Sequence, residues 1–384
     1  MEPQYDFEEI RCFDDADVPE KLWPLIDRPE IEAFVKAAFP EMDMAQLRAQ
    51  VKQMHTIREF QTNVIAKCVI GLSKKTCESV EIRGTEKINT ERAAVYMTNH
   101  RDIVLDSAFL CSLLALNGFK TAEIAIGDNL LIYDWIKDLV RLNKSFIVKR
   151  DVPVRQMLDV SKRLSSYIHY TINEKKNPIW IAQREGRSKD CSDQTQASLI
   201  KMLALGGPSR DIIQNIRQLN MQPVALSYEY DPCDYLKAQE FQLMRDNSEW
   251  KKSKQDDLYS MSVGLMGYKG RVVLTIADEL NGIFDTYPWI NDRNAQVNCV
   301  CSLVDKSIHS NMVLFPINYV AYDLKFETDK YADKYNEQER QKALAYLNGQ
   351  LDKINIPNKD EAFLWERLLT MYSNAVLNFE KATL

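Results

Sequence analysis

Between residues 79 and 276, short apolar segments alternate with longer segments of helical periodicity. In residues 80–82 apolar and polar positions alternate. The apolar segments suit buried strands, and they span 93–97, 122–126, 146–148, 179–182, 223–228 and 271–276. In the longer segments apolar residues recur every three or four positions, and these span 130–142, 154–174 and 195–205. This alternation predicts an α/β domain with a central, mostly parallel sheet flanked by helices.

The two ends of the chain have a different pattern. Apolar residues recur at helical spacing from Glu30 to Lys75, and the chain is again helical in character after Trp289. A charged segment from Tyr235 to Tyr259 lies between the last two predicted strands and predicts an exposed helical arm. We therefore expect three regions: a helical N-terminal domain over 1–76, the α/β domain over 77–290 with a helical insertion at about 235–260, and a helical C-terminal region over 291–384.

Composition and charge narrow the class of protein. Of the 384 residues, 45% are hydrophobic and 27% are charged, which is typical of a globular protein. The net charge of −6 argues against a general nucleic-acid binder. None of the 8 cysteines forms a Cys-x-x-Cys pair, so we expect reduced thiols and no zinc or redox site. The first 17 residues are strongly acidic, unlike a secretory leader. We expect a cytoplasmic protein that contacts a membrane, if at all, peripherally on its inner face.

The most informative polar segment follows the predicted strand 93–97. It runs from Asn99 to Asp106 and contains His100, with Asp102 and Asp106 after it. A neutral imidazole beside an aspartate can take a proton from a hydroxyl. Alternatively, Asp102 caps a helix and His100 only forms a hydrogen bond at the start of that helix. Polar blocks further along the chain favour the catalytic interpretation.

Two more polar blocks follow predicted strands, at the positions where functional residues of a parallel sheet collect. One strand ends in the basic pair Lys149 and Arg150. In the other block, Gly186 permits close approach of the backbone, Arg187 offers a planar fork of donors, and Ser188 adds a hydroxyl. Such a loop suits a phosphate group.

The region around the second block is strongly basic. Residues 141–163 carry seven basic and two acidic residues, a local charge of +5 in a chain of net charge −6. This asymmetry points to an anionic ligand or surface. A solvated helix face is the alternative interpretation, which we favour for Lys162 and Arg163 but not for Arg150, because Arg150 ends a strand.

The order and spacing of these blocks resemble the glycerolipid acyltransferase superfamily, particularly the glycerol-3-phosphate acyltransferases. The resemblance covers about residues 79 to 232, and its segments are 96–101, 127–131 with 146–150, 185–188 and the proline-containing 222–228.

Two departures from the family pattern stand out. The family has four residues between the histidine and the aspartate, whereas five separate His100 and Asp106. Either the turn before the helix absorbs the extra residue or Asp102 orients the ring, and we favour Asp106. In the third block, Glu185 lies one position nearer Arg187 than in the family.

The resemblance implies an O-acyltransferase of phospholipid synthesis that needs no metal or other cofactor. The donor would be an acyl thioester on coenzyme A or acyl carrier protein, and the acceptor would be glycerol 3-phosphate or its lyso derivative. The implied site comprises a catalytic pair, His100 and Asp106, and a phosphate-binding set, Arg150, Glu185, Gly186, Arg187 and Ser188. An acidic carrier protein or anionic lipid head groups would dock on the basic residues 141–163.

Three other functions are compatible with the sequence. The acceptor of the same acyl transfer could be another lysophospholipid or a hydroxylated aminolipid. A hydrolase with a serine or cysteine nucleophile is disfavoured, because the chain has no Gly-x-Ser-x-Gly motif. A lipid-binding relative without activity is the third alternative, suggested by the altered spacing in two blocks.

Overall fold

The computed structural model describes residues 5–384, which contain a seven-stranded sheet with helices on both faces. Its strands are β1 Cys77–Arg83, β2 Val95–Thr98, β3 Glu123–Gly127, β4 Ser145–Val148, β5 Ile179–Ala182, β6 Gln222–Tyr228 and β7 Gly270–Ile276. Their order in the sheet is β1-β7-β6-β2-β5-β3-β4, and only the β6–β7 pair is antiparallel. The predicted α/β class with a mostly parallel central sheet is confirmed.

The helices belong to an N-terminal group, the layers that cover the sheet, and a C-terminal group. In chain order they are α1 Val18–Ile26, α2 Pro29–Ala38, α3 Met44–Val51, α4 Ile57–Phe60, α5 Ala66–Thr76, α6 Leu105–Leu116, α7 Asp134–Leu142, α8 Val154–Asn173, α9 Ala197–Leu203, α10 Ile212–Arg217, α11 Asp234–Asp246, α12 Lys254–Met266, α13 Asn281–Thr286, α14 Arg293–Ser310, α15 Pro316–Phe326, α16 Glu337–Asp352 and α17 Glu361–Thr383.

Strands β2 to β7 are largely buried on both faces, which explains their mostly apolar sequences, whereas the edge strand β1 has only half-buried and exposed residues. Along β2, Val95 and Met97 point to a core shared with α8, α9, α10 and α14. Tyr96, between them, points to the opposite core, which contains α5 and α6. Successive side chains of a strand point to opposite faces, so every position of β2 is apolar or buried.

The terminal helices pack onto this α/β layer. Helices α1 to α4 form an apolar cluster that includes Leu142 at the end of α7. Helices α15 to α17 form another cluster together with Tyr235 and Ala238 of α11. Helix α14 instead contributes Val297 and Val300 to the core of the sheet, although it lies beyond residue 290.

The segment 235–259, expected to be an exposed arm, is helical but partly buried. Helix α11 buries several polar residues, among them Lys237 and Gln242. Lys237 Nζ lies 2.5 Å from the Asp231 carboxylate. The expectation of exposure is met over most of residues 244–259 but was wrong for residues 235–243, where the charge of Lys237 is compensated inside the protein rather than by water.

Candidate active site

The loop between β2 and α6 holds His100 at the carboxyl edge of the sheet. The amide of Asn99 fixes this loop to β6, because its Nδ2 donates to the carbonyl oxygen of Leu226 (2.9 Å) and its Oδ1 accepts from the Leu226 N–H (2.8 Å). Asp102 Oδ1 accepts from the N–H groups of Val104 and Leu105, at 2.9 and 2.8 Å. Asp102 therefore caps α6, as the alternative interpretation of that residue anticipated.

His100 and Asp106 are in direct contact. His100 Nδ1 lies 2.8 Å from Asp106 Oδ2, and the same carboxylate oxygen accepts from the N–H groups of Arg101 (2.7 Å) and Asp102 (3.1 Å). The other oxygen, Oδ1, accepts from the Tyr228 hydroxyl at 3.0 Å. Residues 103 and 104 form a turn before α6 begins at Leu105, which accommodates the extra residue between histidine and aspartate.

The imidazole of His100 is mostly buried but keeps some contact with solvent. The side chain of His100 is 12% exposed, whereas that of Asp106 is fully buried. The Trp180 ring packs edge-on against the imidazole, with 6.0 Å between the ring centroids. An aspartate on Nδ1 fixes the tautomer that leaves Nε2 as the proton acceptor. The arrangement can therefore serve as a general base for a hydroxyl that approaches the exposed edge of the ring.

The third polar block, residues 184–188, lies directly beside His100. Strands β2 and β5 are neighbours, with Thr98 opposite Ala182, so the loops that follow them meet. The Ser188 N–H donates to the His100 carbonyl oxygen at 3.1 Å, and the buried Ser188 hydroxyl lies 3.4 Å from an Asp190 carboxylate oxygen. Gly186 has φ of +70°, the left-handed region that favours glycine. Ser188 thus joins the two loops rather than facing an open cleft.

Arg187, in the same loop, is half-buried, and its Nη1 atom is buried. Its Nη1 has no hydrogen-bond partner within residues 5–384. Burial alone would lower the pKa of Arg187, but Cys233, Asp102 and Asp231 around the guanidinium raise it. A buried donor without a partner is uncommon in folded proteins. The guanidinium therefore keeps one donor for a further hydrogen-bond partner.

Arg150 reaches the third block from the end of β4. Its Nη1 lies 2.6 Å from a carboxylate oxygen of Glu185, so the second and third blocks meet in an ion pair. The side chain crosses the end of β3 at Gly127, where an added Cβ would lie 2.9 Å from Arg150 Nε. The structure therefore brings together His100, Asp106, Gly186, Ser188 and Arg187 on one side and the Arg150–Glu185 pair beside them.

Much of the positive charge in residues 141–163 is compensated internally. Arg141 donates to the backbone carbonyl oxygens of Arg11 (2.9 Å) and Glu8 (2.8 Å). Lys149 and Arg163 both pair with Glu9, at 2.6 and 3.0 Å. The local charge of +5 is thus no continuous basic surface.

Tyr228 and the groups around Arg187 were not predicted from the sequence. Tyr228 is the last residue of the apolar strand β6, which pairs with β2. Its hydroxyl at the carboxyl end of that strand was the one feature of the sequence that could have indicated a role in the site. Asp231 and Lys237 lay in or beside the presumed exposed arm, and no sequence pattern marked them as buried.

In the part of the chain from residue 5 onward, no group of three or more His, Cys, Asp or Glu side chains is arranged to hold a metal ion. None of the helices described between residues 5 and 384 has the length and apolar character needed to cross a bilayer.

The fold and the site together define an α/β protein with a histidine–aspartate pair at the carboxyl edge of its sheet. Residues 79–205 match the family model described as Acyltransferase. The resemblance to glycerolipid acyltransferases is therefore confirmed for this segment, which contains His100, Asp106, Arg150 and the whole third block.

Two further comparisons are less informative. The chain is similar to the 1-acyl-sn-glycerophosphate (LPA) acyltransferase PlsC from Thermotoga maritima at 12% identity and a TM-score of 0.35, over 75% of this chain and 95% of that chain. A comparison with curated proteins finds no match.

Proposed function

We propose that the protein transfers a fatty acyl group from an acyl thioester, on coenzyme A or acyl carrier protein, to a hydroxyl of glycerol 3-phosphate or its lyso derivative. The observation that carries the proposal is the 2.8 Å contact between His100 Nδ1 and Asp106 Oδ2. This pair lies within the segment that matches the acyltransferase family. The partly exposed imidazole provides a base where an alcohol can reach it.

The reaction is a direct transfer with His100 as general base. His100 Nε2 takes the proton of the acceptor hydroxyl while the hydroxyl oxygen attacks the thioester carbonyl. The ester C–O bond forms, the C–S bond breaks, and the imidazolium returns its proton to the thiolate. Asp106 orients the ring and stabilises the imidazolium. General-base catalysis of this kind contributes about 10²–10⁴-fold.

The phosphate of the acceptor is bound by the two arginines of the site. Arg187 has an Nη1 donor without a partner within residues 5–384. Arg150 is paired with Glu185, which an incoming phosphate can replace as the counterion. Gly186 and Ser188 hold the third-block loop against the His100 loop. Positioning of the acceptor by such contacts lowers the barrier by holding the hydroxyl near the carbonyl.

An acceptor panel tests this proposal. One labelled acyl thioester is presented in turn to glycerol 3-phosphate, lysophosphatidate and a monoacylglycerol that lacks the phosphate. We expect ester formation with a phosphorylated acceptor and at least tenfold less with the monoacylglycerol. Release of free fatty acid without any ester, together with an acyl-enzyme detected by mass spectrometry, would instead indicate a hydrolase. Binding of lipid without turnover of any thioester would indicate an inactive lipid-binding protein.

A further inference from the structure

The first two turns of α8 extend beyond the packed body of the protein. Every residue from 153 to 159 is exposed, and Val154 is 85% exposed. Burial begins only in the second half of the helix, where Leu164 and Ile168 join the core of the sheet. The exposed end of α8 therefore lies on the surface and contributes nothing to the core clusters of residues 5–384.

The exposed end carries a stripe of large apolar side chains. Val154, Met157 and Leu158 are all exposed, and positions three and four apart lie on the same face of a helix. Exposed apolar side chains that cluster in this way mark interaction surfaces, unlike isolated ones.

The free charges on this end of the helix cancel. Arg155 and Lys162 form no ion pair with any residue from 5 to 384, and neither do Asp151 and Asp159. The other cations nearby are paired, as Lys149 and Arg163 are with Glu9 and Arg150 is with Glu185. The apolar stripe, rather than net charge, is what distinguishes this surface.

The exposed end of α8 lies at the same edge of the sheet as the candidate active site. It begins four residues after Arg150, whose N–H donates to Asp128 Oδ1 in the loop after β3 at 3.1 Å. That loop leads to Tyr133, which is exposed and stacks on Trp135. Aromatic residues of this kind are enriched where proteins meet the membrane–water interface.

We propose that the exposed end of α8 inserts into the surface of a lipid bilayer and holds the active site against it. This inference rests on the proposed function, in which acceptor or product carries an acyl chain. Three apolar side chains are too few for a stable protein interface, which buries about 800 Å² on each partner. A bilayer accepts a few apolar side chains without a complementary surface.

Vesicle sedimentation with the full-length protein tests the proposal. The vesicles are phosphatidylcholine alone and an equimolar mixture of phosphatidylcholine and phosphatidylglycerol. The test variants are Leu158→Gln and the triple change Val154→Gln, Met157→Gln, Leu158→Gln. Leu116→Gln is the matched control, because Leu116 is also helical and is 58% exposed against 59% for Leu158. Leu116 ends α6, at the opposite edge of the sheet.

We expect the wild-type protein to bind both kinds of vesicle and to retain its binding in 0.5 M salt. The triple variant should bind at least tenfold more weakly and Leu158→Gln about threefold, while Leu116→Gln stays within twofold. Circular dichroism checks that each variant is folded.

Three results would overturn the proposal: no wild-type binding to either vesicle, equal binding by the triple variant, or a lipid-free dimer that the triple variant dissociates. Loss of affinity for acyl carrier protein in the triple variant, without loss of vesicle binding, would also overturn it. Acyl transfer to a water-soluble acceptor is assayed separately. Absence of acyl transfer would count against the proposed function, whereas the vesicle experiment would still test membrane binding by α8.

Discussion

The Asp106 carboxylate is the centre of the site at the scale of single residues. It is buried, and it accepts hydrogen bonds from His100, two backbone N–H groups and the Tyr228 hydroxyl. A buried charge is tolerated when its lone pairs are satisfied in this way. Burial, followed by the charge of Asp106, raises the pKa of Tyr228 well above its ordinary value, so the phenol remains a donor at neutral pH. Tyr228 is thus a positioning residue for the aspartate that orients His100.

Replacement of Tyr228 by Phe should lower kcat about tenfold and leave the KM of the acceptor within twofold. The lost hydrogen bond to a charged group is worth about 1.5–3 kcal/mol, and it acts on the base rather than on the acceptor. Steady-state kinetics measure both constants. Tyr335→Phe is a matched control, because its hydroxyl donates to Asp323 Oδ2 over the same 3.0 Å far from His100. An unchanged kcat in a folded Tyr228→Phe variant would show that the bond plays no part in catalysis.

Replacement of Glu185 by Gln should lower the KM for a phosphorylated acceptor by about threefold. Glu185 forms an ion pair with Arg150 in the absence of substrate, and the acceptor phosphate must displace this carboxylate. The effect is modest because both side chains are partly exposed, and exposed ion pairs contribute only about 0–1 kcal/mol. Initial-rate measurements against acceptor concentration give the KM. A raised KM would mean that Glu185 helps to bind the acceptor instead of competing with it.

At the scale of elements, α12 supports the catalytic loop through a glycine. A Cβ added at Gly264 would collide with the Asp102 carboxylate, which caps α6 below His100. The approach of α12 to the loop therefore depends on the missing side chain. Gly264 lies just beyond the charged segment 235–259, in the second half of the helix that begins within it.

Gly264→Ala should lower the melting temperature by several degrees and reduce kcat, because overpacking a buried contact costs about 1–3 kcal/mol. Gly349→Ala is the control, since Gly349 also lies within a helix and an added Cβ there meets nothing within 4 Å. Thermal unfolding and turnover are measured for both variants. Equal melting temperatures for Gly264→Ala and Gly349→Ala would contradict the contact between α12 and Asp102.

The elements differ in how far the sequence could predict them. Most strands were predictable because they are buried on both faces and therefore mostly apolar, and β1 was predictable because Val80 and Ile82 alternate with the polar Glu81. The proximity of the second and third blocks was also predictable, because both follow parallel strands, whose carboxyl ends lie at the same edge of the sheet. The bond between Tyr228 and Asp106 joins residues 122 positions apart, and no local pattern specifies such a pair. The exposure predicted for residues 235–259 failed only over 235–243, where Lys237 is neutralised by Asp231 inside the protein.

At the scale of the whole molecule, the C-terminal helices are tied to the segment that follows β6. The Tyr372 hydroxyl of α17 donates to Asp234 Oδ2 at 2.7 Å and accepts from the Asp231 N–H at 3.1 Å. Gln350 of α16 donates to the other oxygen of Asp234. Burial, and then the nearby charge of Asp231, raise the pKa of Asp234 to about 7. The junction between α11 and the C-terminal helices is therefore sensitive to pH.

The contribution of Asp234 to the free energy of unfolding should fall as the pH rises from about 4 to 7. Folded Asp234 keeps its proton up to a pKa of about 7, whereas the unfolded chain loses it near 3.8, so the folded state holds the extra proton in this window. Asp234→Asn removes this loss. The difference in the free energy of unfolding between the Asp234→Asn variant and the wild type should therefore rise between pH 4 and pH 8, by on the order of 2–4 kcal/mol.

Urea unfolding at several pH values measures this difference. The exposed Asp329 provides the control substitution, Asp329→Asn. A difference between Asp234→Asn and wild type that stays constant with pH would contradict the assignment of the raised pKa to Asp234.

The proton transfer assigned to His100 is tested most directly by its replacement with Ala. Acyl transfer from a labelled thioester to a phosphorylated acceptor is compared for wild type, His100→Ala and His55→Ala, with circular dichroism as the check on folding. His55 is an exposed histidine that packs against Trp23, away from the sheet, and its replacement should leave the rate unchanged. Loss of the general base should reduce the turnover of His100→Ala by about 10²-fold or more in a protein that stays folded. Retention of more than about a tenth of the wild-type rate would contradict the role of His100.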